Sequence, residues 1–176
     1  MEQQTLIPEP PCFLLDSTIV IEITRRAFPI NKFPVFHSEL EKLIASGAIK
    51  SVEEVKKEFE DGTVKQPDVT LKWCEEHPDF FQPIDDQMDL FMGTASELFR
   101  LDILKIDRPY ADPHLLAYAL AHKSIIVTNE SSTPNPNKPK IPEVCAKLDE
   151  DIRCIDIWQF LKESGLISHT NPTQSR

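Results

Sequence analysis

The sequence predicts an α/β protein, a three-layer α/β/α sandwich with a central, mainly parallel β-sheet. Short apolar runs without polar alternation recur along the 176 residues, as in strands that are buried on both faces of a parallel sheet. Amphipathic segments separate these runs, and this alternation indicates strand–helix–strand crossovers. The length fits one domain, because domains typically have roughly 100–200 residues. The predicted boundaries are a flexible N-terminal tail at 1–11, one domain at 12–166 and a C-terminal tail at 167–176.

The first half of the chain is predicted to contain two strands and three helices. Apolar residues at helical spacing define the helices, and Pro29 and Gly47 mark two of their ends. Ser51 stands three residues before Glu54, which is the pattern of a capping box, so Ser51 is expected to cap the third helix. The predicted order is a strand at 12–15, a helix at 19–27 capped by Ser17 or Thr18, a helix at 35–46, a strand at 48–50 and a helix after Ser51.

The second half is predicted to begin with helices and to end with two further strand–helix units. Pro78 and Pro83 separate a helical segment at 67–76 from another at about 85–105. Asp112-Pro113 is a typical helix start, with proline at the first turn, and predicts a helix that runs to His122. After it, the predicted order is a strand at 124–128, a loop at 131–140, a helix at 142–148, a strand at 152–155 and a helix at 157–164 that ends at Gly165.

The composition excludes several classes of site. The four glycines are far apart, which excludes the clustered glycines of a P-loop or of a dinucleotide-binding fingerprint. The four cysteines form no C-x-x-C pair and the five histidines form no H-E-x-x-H, so a zinc site is not expected. Acids are abundant, with 29 Asp and Glu against 19 Lys and Arg, and they favour a site for a hard cation.

Neither a membrane span nor export is expected from the sequence. No apolar run approaches the roughly 20 residues that a spanning helix needs. The first residues, MEQQTLIPEPP, lack the basic start and the apolar core of a signal peptide. The expected location is therefore the cytoplasm, where the cysteines are expected to stay reduced.

Acidic residues follow two of the predicted strands near the point where each strand ends. Asp16 follows the first strand, and Glu130 follows the strand at 124–128. The carboxyl ends of parallel strands meet at one edge of the sheet, and Asp112, at a helix start, can reach the same edge. Glu58 is the candidate for a fourth acid, with Glu54 one helical turn before it. Such a cluster favours Mg²⁺ or Mn²⁺, although each acid alone is also typical of an ordinary surface or helix-terminal charge.

Four segments of the chain resemble the motifs of PIN domains. Leu14–Thr18 and Ser51–Phe59 resemble the first two motifs, and Ala111–His122 and Ile126–Glu130 resemble the last two. Together they resemble an uncharacterised PIN-like subfamily, similar to the VapC-type toxins of prokaryotic toxin–antitoxin pairs. The resemblance extends over about residues 12–166, which is nearly the whole chain.

This resemblance implies a metal-dependent endoribonuclease that hydrolyses RNA phosphodiester bonds as the toxin of a toxin–antitoxin pair. Glu130 departs from the wider family, which usually has aspartate at that position. The implied partners are RNA, a cognate antitoxin and, in a homodimer, a second copy of the chain, and the implied cofactor is Mg²⁺ or Mn²⁺. By position, the catalytic and metal-binding acids are Asp16, Glu58, Asp112 and Glu130, and the supporting residues are Ser17, Thr128 and Glu54, with Glu54 as the alternative to Glu58.

Two pairs of basic residues are candidates for contacts with RNA. Lys138 and Lys140 lie in the loop after Glu130, and Arg25 and Arg26 lie near the end of the first helix. Positive charges that follow an acidic site can bind phosphates, whatever the net charge of the chain. The alternative interpretation is that these residues only keep two loops solvated.

Two other functions remain open from the sequence. One is a catalytically silent binding module with the PIN fold, although such a protein would be expected to lack at least one strand-end acid. The other is a different Mg-dependent phosphohydrolase. A haloacid-dehalogenase phosphatase would need a second aspartate two residues after Asp16, and Thr18 stands there.

Overall fold

The computed structural model describes residues 11–62, 68–102, 104, 106–131, 135, 137–148 and 152–167. The predicted tails lie outside this part, except for residues 11 and 167. Within it, five strands form one parallel sheet: β1 (Phe13–Leu15), β2 (Ile49–Val52), β3 (Phe81–Gln82), β4 (Ile125–Val127) and β5 (Cys154–Ile155). Their order across the sheet is β3-β2-β1-β4-β5, so β1 is the central strand.

Eight α-helices accompany these strands in the described ranges. They are α1 (Ser17–Ile21), α2 (Pro34–Ala45), α3 (Glu53–Glu60), α4 (Asp68–Glu76), α5 (Asp86–Leu98), α6 (Asp112–His122), α7 (Ile141–Lys147) and α8 (Ile157–Glu163). A π-helical turn, Glu22–Arg26, extends α1, and a 3₁₀ turn, Pro78–Phe80, precedes β3. Among these elements, no helix has both the length and the apolar character to cross a membrane.

The helices cover both faces of the sheet. From β1 to β3 the chain moves toward one side of the sheet, and it then returns to β4 and β5 on the other side. Right-handed crossovers therefore place the two sets of connecting helices on opposite faces. α1, α3 and α4 pack together, and α5 packs along α6. The predicted fold class, a three-layer α/β/α sandwich with a parallel sheet, is confirmed.

The centre of the hydrophobic core is formed by β1 and α6. All three residues of β1 are buried, as the lack of polar alternation predicts for a central strand. On α6, Leu115, Leu116 and Ala119 have no exposed surface. Burying a leucine side chain contributes about 1.5–3 kcal/mol, and the small alanines of α6 let the helix approach β2 and β4 closely. The strand that carries Asp16 at its end is therefore held rigidly.

The cap predicted for the first helix is wrong. We expected Ser17 or Thr18 at this position, but the N-cap of α1 is Asp16. Its carboxylate accepts a hydrogen bond from the N–H of Ile19 at 3.1 Å. The helix therefore begins directly at the end of β1, because aspartate is as good a cap as serine and comes first in the chain.

The cap predicted for the third helix is also wrong. Ser51 lies inside β2, where it is fully buried and donates its hydroxyl to the carbonyl of Leu15 at 2.7 Å. This bond to the neighbouring strand replaces the expected cap, and α3 begins at Glu53 without a side-chain cap. Strand β2 is accordingly longer than predicted and ends at Val52.

Two further differences lie between β2 and α6. Strand β3 was not predicted, because two residues between Pro78 and Pro83 are too few to show a periodicity. Helix α5 ends at Leu98, earlier than the predicted end near residue 105, which itself lies outside the described residues. Arg100 has a positive φ of 56°, which an α-helix does not continue through.

The carboxyl ends of β1 and β4 lie side by side. Leu15 is in register with Val127, so the residues that follow them, Asp16 and Thr128, are neighbours. The connection from β1 leads to β2 on one side, whereas β4 lies on the other side. This is a topological switch point, the place where parallel α/β sheets bind their ligands.

Candidate active site

Asp16 is fixed at the switch point by three hydrogen bonds. It is buried, with 3% of its surface exposed. One carboxylate oxygen accepts from the hydroxyl of Thr18 at 2.6 Å and from the N–H of Ile19, and the other accepts from the hydroxyl of Thr128. Burial raises the pKa of Asp16 to about 6, and the charge of Glu130 acts in the same direction. The side chain is thus ordered, and burial makes its ionised form less favourable than it would be in water.

Glu58 reaches the same place from α3. Its carboxylate accepts the N–H of Ala111, just before α6, at 2.8 Å. Burial raises the pKa of Glu58 to about 7, and the charge of Asp16 adds to this, while Lys138 acts in the opposite direction. Glu58 therefore connects α3 with the start of α6 and lies near another acid.

Glu54, the alternative second acid, has different surroundings. Its carboxylate lies 2.8 Å from the ammonium of Lys57 and 3.9 Å from the imidazole of His114. It is not among the residues that line the cavity described below. The structure therefore brings Glu58, and not Glu54, toward Asp16.

Asp112 is the first residue of α6 and lies among the other acids. Burial raises its pKa well above the usual range, and the charges of Glu130, Glu58 and Asp16 raise it further. The hydroxyl of Tyr110 is buried beside this carboxyl group, and its hydrogen bonding acts in the opposite direction by favouring the ionised form of Asp112. Asp112 thus occupies the position in which a negative charge is least favoured without a cation.

Glu130 is held by the start of α7. Its carboxylate accepts the N–H of Ile141 at 3.1 Å, where the helix dipole favours a negative charge. Its own N–H donates to the hydroxyl of Thr128 at 3.0 Å. The hydroxyl of Thr18 accepts the N–H of Asn129 at 3.1 Å and so joins the ends of β1 and β4. Two threonines therefore order two of the acids.

Five acids line one cavity of about 410 Å³ at the carboxyl edge of the sheet: the four described above and Asp107, which is exposed on the loop before α6. We call Asp16, Glu58, Asp112 and Glu130 the acid pocket. No ion pair joins any of them to a Lys, Arg or His of the described residues. Ser17 and Thr18 line the cavity as well, and the hydroxyl of Ser17 stabilises the Glu58 carboxylate.

The donors of the acid pocket match the preference of Mg²⁺ and Mn²⁺ for oxygen ligands. Among the residues that the structure describes, no three His, Cys, Asp or Glu side chains converge closely enough to hold one ion. A magnesium ion usually keeps several waters and takes one or two carboxylates, so four acids around a cavity of this size suit it. The chemistry of the donor set therefore fits a hydrated divalent cation.

The predicted RNA contacts fall into two groups in the structure. Lys138 lines the cavity, and its ammonium lies 5.4 Å from the centre of the Tyr110 ring. Lys140 is outside the lining and donates to the hydroxyl of Ser131 at 3.0 Å. Arg25 and Arg26 lie at the far end of the helix that starts beside Asp16, outside the cavity. Their role in binding RNA stays a prediction.

Five lining residues were not indicated by the sequence. They lie on the loop that leads into α6 and are Leu104, Ile106, Asp107, Arg108 and Tyr110. Only the position of Tyr110, two residues before Asp112, pointed to the site. A loop without periodicity gives no sign of which way its side chains turn.

Comparisons with known proteins give one family and a distant structural similarity. The model of a family described as "Domain of unknown function (DUF4411)" matches residues 13–167. No curated protein matches the chain. A crystal structure of VapBC2 from Rickettsia felis, bound to a DNA fragment from their promoter, is similar with 13% sequence identity and a TM-score of 0.49. The match covers 82% of this chain and 98% of that chain.

Proposed function

The chain belongs to the DUF4411 family, and we propose that it is a metal-dependent nuclease that cleaves RNA phosphodiester bonds. One observation carries the proposal: four acids without a paired cation surround one cavity at the switch point of the sheet. The motif resemblance to PIN domains adds the reaction class. The geometry supports a site at this edge of the sheet, and the motif resemblance supports RNA as the substrate.

The electrostatics of the acid pocket support a cation. Clustered carboxylates repel each other, and burial removes the water that would solvate them. The raised pKa values of Asp16 and Glu58 and the still more strongly raised pKa of Asp112 express this cost. A divalent cation would offset the repulsion and keep all the acids ionised at neutral pH.

The proposed roles follow from how each acid is held. When bound, Mg²⁺ or Mn²⁺ lowers the pKa of a bound water and screens the charge of the phosphate. Asp16 and Asp112, the first and third acids of the motifs that the chain resembles, would hold the cation. Glu58 and Glu130, held by the backbone N–H groups of Ala111 and Ile141, would orient its water molecules. Thr128 and Thr18 keep Asp16 in one conformation.

The other phosphohydrolase class has less support. A haloacid-dehalogenase phosphatase needs an aspartate at position 18. The residue there is Thr18, whose hydroxyl donates to Asp16 and accepts the N–H of Asn129. No cysteine or histidine of the described residues lines the cavity, so a thiol nucleophile or an imidazole base is not supported either. A silent binding module would keep the fold without metal-dependent cleavage, so an RNA cleavage assay with metal distinguishes it from a nuclease.

The proposed function is tested with single-stranded RNA and purified protein. Cleavage should require Mg²⁺ or Mn²⁺, stop in excess EDTA and disappear with Asp112→Asn. Bound Mn²⁺ between Asp16 and Asp112 in a crystal would place the metal. Cleavage that persists undiminished in EDTA, or in the Asp112→Asn protein, contradicts the proposal, and metal binding without any cleavage indicates the silent module.

A protein partner is a separate part of the proposal. By resemblance to VapC-type toxins, we propose that the chain is the toxin of a toxin–antitoxin pair and that a cognate antitoxin covers the acid pocket. A homodimer is proposed on the same basis. Co-expression with the product of the adjacent gene, followed by gel filtration, should give one stable complex, and two separate peaks contradict the pairing.

A further inference from the structure

Two cationic side chains line the same cavity as the acid pocket. Arg108 lies on the loop that leads into α6, and Lys138 lies on the loop that leads into α7. We call Arg108 and Lys138 the basic rim. Both are exposed, whereas Asp16 and Glu58 are buried. The two cations therefore lie nearer the mouth of the cavity than Asp16 and Glu58, and the exposed Asp107 lines the cavity beside Arg108.

The basic rim forms no ion pair with a carboxylate among the described residues. Elsewhere in the chain such pairs are common: Lys42, Lys57 and Lys147 lie 2.7, 2.8 and 3.8 Å from carboxylates on their own helices. Lys138 contacts the face of the Tyr110 ring instead. In a chain with a net charge of −10, two cations beside an acid cluster remain available for an anion from outside.

Apolar side chains line the same cavity as the two cations and the acids. Ile106, which is 37% exposed, and the ring of Tyr110 line the cavity on the same loop as Arg108. A volume of about 410 Å³ lies within the range of about 300–1,000 Å³ that small-ligand sites occupy. The flat face of a nucleoside fits against such side chains, whereas a base stacked within a duplex cannot reach them without being extruded.

We propose that Arg108 and Lys138 bind the phosphates on either side of the scissile phosphate of a single-stranded RNA, with the nucleoside against Ile106 and Tyr110. The inference rests on the proposed function and adds the residues that position the strand. Flanking phosphates stay at the rim, away from the carboxylates, while the scissile phosphate enters the acid pocket. Arg108 and Lys138 are thus positioning residues that do not touch the reacting atoms.

The test measures RNA affinity against salt concentration. A labelled, short single-stranded RNA is titrated with protein that carries Asp16→Asn, so that the strand stays intact, and binding is followed by fluorescence anisotropy. Each phosphate contact on a single strand contributes about 0.7 to the slope of log K against log salt. Arg108→Ala and Lys138→Ala should each lower the slope by about that amount. Each should also weaken binding about tenfold, the loss expected for one hydrogen bond to a charged group.

Two control variants sharpen the result. Lys162→Ala removes the same charge from an exposed position on α8 that does not line the cavity, and it should leave the slope unchanged. Arg108→Lys keeps the charge, so it should restore the slope while losing the bidentate contact. In the otherwise wild-type protein, the two alanine variants should raise KM for RNA cleavage more than they lower kcat.

Each outcome decides the proposal. Lower slopes for both rim variants, with Lys162→Ala unchanged, support the basic rim. If wild-type protein cleaves RNA with metal but the rim variants match Lys162→Ala in slope and KM, the basic rim is overturned and the proposed function stands. If the wild type neither binds nor cleaves RNA, both fall. Equal affinity for a duplex of the same sequence overturns the assignment to a single strand.

Discussion

Helix α3 carries two glutamates one turn apart that have opposite surroundings. Glu54 is half-buried, with 15% of its side chain exposed, and its carboxylate lies 2.8 Å from the ammonium of Lys57. Glu58 faces the acid pocket, where burial raises its pKa to about 7 and Asp16 is a neighbouring charge. The residue type and the helix are the same, so the difference comes from position alone. A lysine compensates the charge of Glu54, whereas other acids oppose the charge of Glu58.

The comparison shows which acids identify a site. Partly exposed pairs of the kind that Glu54 forms with Lys57 contribute about 0–1 kcal/mol and say little about function. A carboxylate that is buried near three others, without a cation, is unfavourable unless something binds there. In a chain with 29 acids, location at the switch point separates four of them from the rest.

The largest expected effect is on catalysis, and it divides the two glutamates. Glu58→Gln and Asp16→Asn should each reduce metal-dependent RNA cleavage by more than about 100-fold, because loss of only an outer-shell partner costs about 10–100-fold. Glu54→Gln should leave cleavage within a few-fold of wild type, since this carboxylate lies outside the cavity. Initial rates with Mn²⁺ measure the contrast. A large loss for Glu54→Gln with little change for Glu58→Gln would reverse the assignment of the second acid.

A smaller loss of cleavage activity is expected when a hydrogen-bond partner of an acid is removed and the acid itself is kept. Thr128→Val has nearly the same shape but removes the hydroxyl that donates to Asp16 and accepts the N–H of Glu130. Cleavage should fall by about 10–100-fold, the range for outer-shell partners of a metal site. Single-turnover rates at saturating Mn²⁺ test this.

The matched control is Thr24→Val. The hydroxyl of Thr24 is buried, donates to the carbonyl of Val20 at 2.7 Å and lies 2.9 Å from the hydroxyl of Thr70, away from the cavity. Both valine variants should lower the free energy of unfolding by about 1–3 kcal/mol, the cost of unsatisfied buried partners. Only Thr128→Val should lower the cleavage rate as well. Equal rates for the two variants would show that Thr128 has only a structural role.

The contrast between the two glutamates also explains what the sequence could predict. The strands that end at Asp16 and near Glu130 are short apolar runs, and parallel strands place their ends at one edge. Asp112-Pro113 marks a helix start with little ambiguity. These local patterns predicted the fold class and the gathering of Asp16, Asp112 and Glu130. The choice between Glu54 and Glu58 stayed open, because both share one face of α3.

Long-range contacts explain the predictions that failed or were not made. Ser51 looked like a helix cap, but its hydroxyl bonds to Leu15 on a strand 36 positions earlier. Glu58 is held by the N–H of Ala111, 53 positions later. A short stretch of sequence does not contain such distant partners. It also does not show that Arg108 lines the cavity. The residues that order the site are therefore harder to predict than the residues that form it.

The third prediction concerns stability against pH in the metal-free protein. The folded-state pKa of Asp16 is raised from 3.8 to about 6 and that of Glu58 from 4.5 to about 7. A raised carboxyl pKa stabilises the fold below the unfolded pKa and loses that contribution as pH rises through the folded pKa. The free energy of unfolding should therefore fall between about pH 4 and 7, by roughly 3 kcal/mol for each group, since one pKa unit corresponds to about 1.4 kcal/mol. Urea denaturation in EDTA measures this decrease.

Glu58→Gln should flatten the upper part of that pH dependence, and Glu54→Gln should leave it unchanged. Saturating Mn²⁺ should remove the decrease in the wild type, because the cation stabilises the ionised acids. A stability that rises steadily from pH 4 to 7 in EDTA would contradict the repulsive cluster.

The smallest expected effect is a shift of the melting temperature by Asp112→Asn, and it compares two helix starts. Two unit charges about 4 Å apart interact by roughly 4 kcal/mol at an effective dielectric of about 20. Proton uptake and water relieve most of this, so about 1 kcal/mol is expected to remain as strain. Without metal, Asp112→Asn should raise the melting temperature by a few degrees and blunt the rise that Mn²⁺ produces.

Asp86 also begins a helix, but it is exposed on α5, so Asp86→Asn loses only a favourable dipole interaction. That variant should melt slightly lower and respond to Mn²⁺ as the wild type does. Melting curves of the three proteins, in EDTA and in Mn²⁺, decide the matter, and an Asp112→Asn protein that behaves like Asp86→Asn would remove Asp112 from the acid pocket's charge cluster.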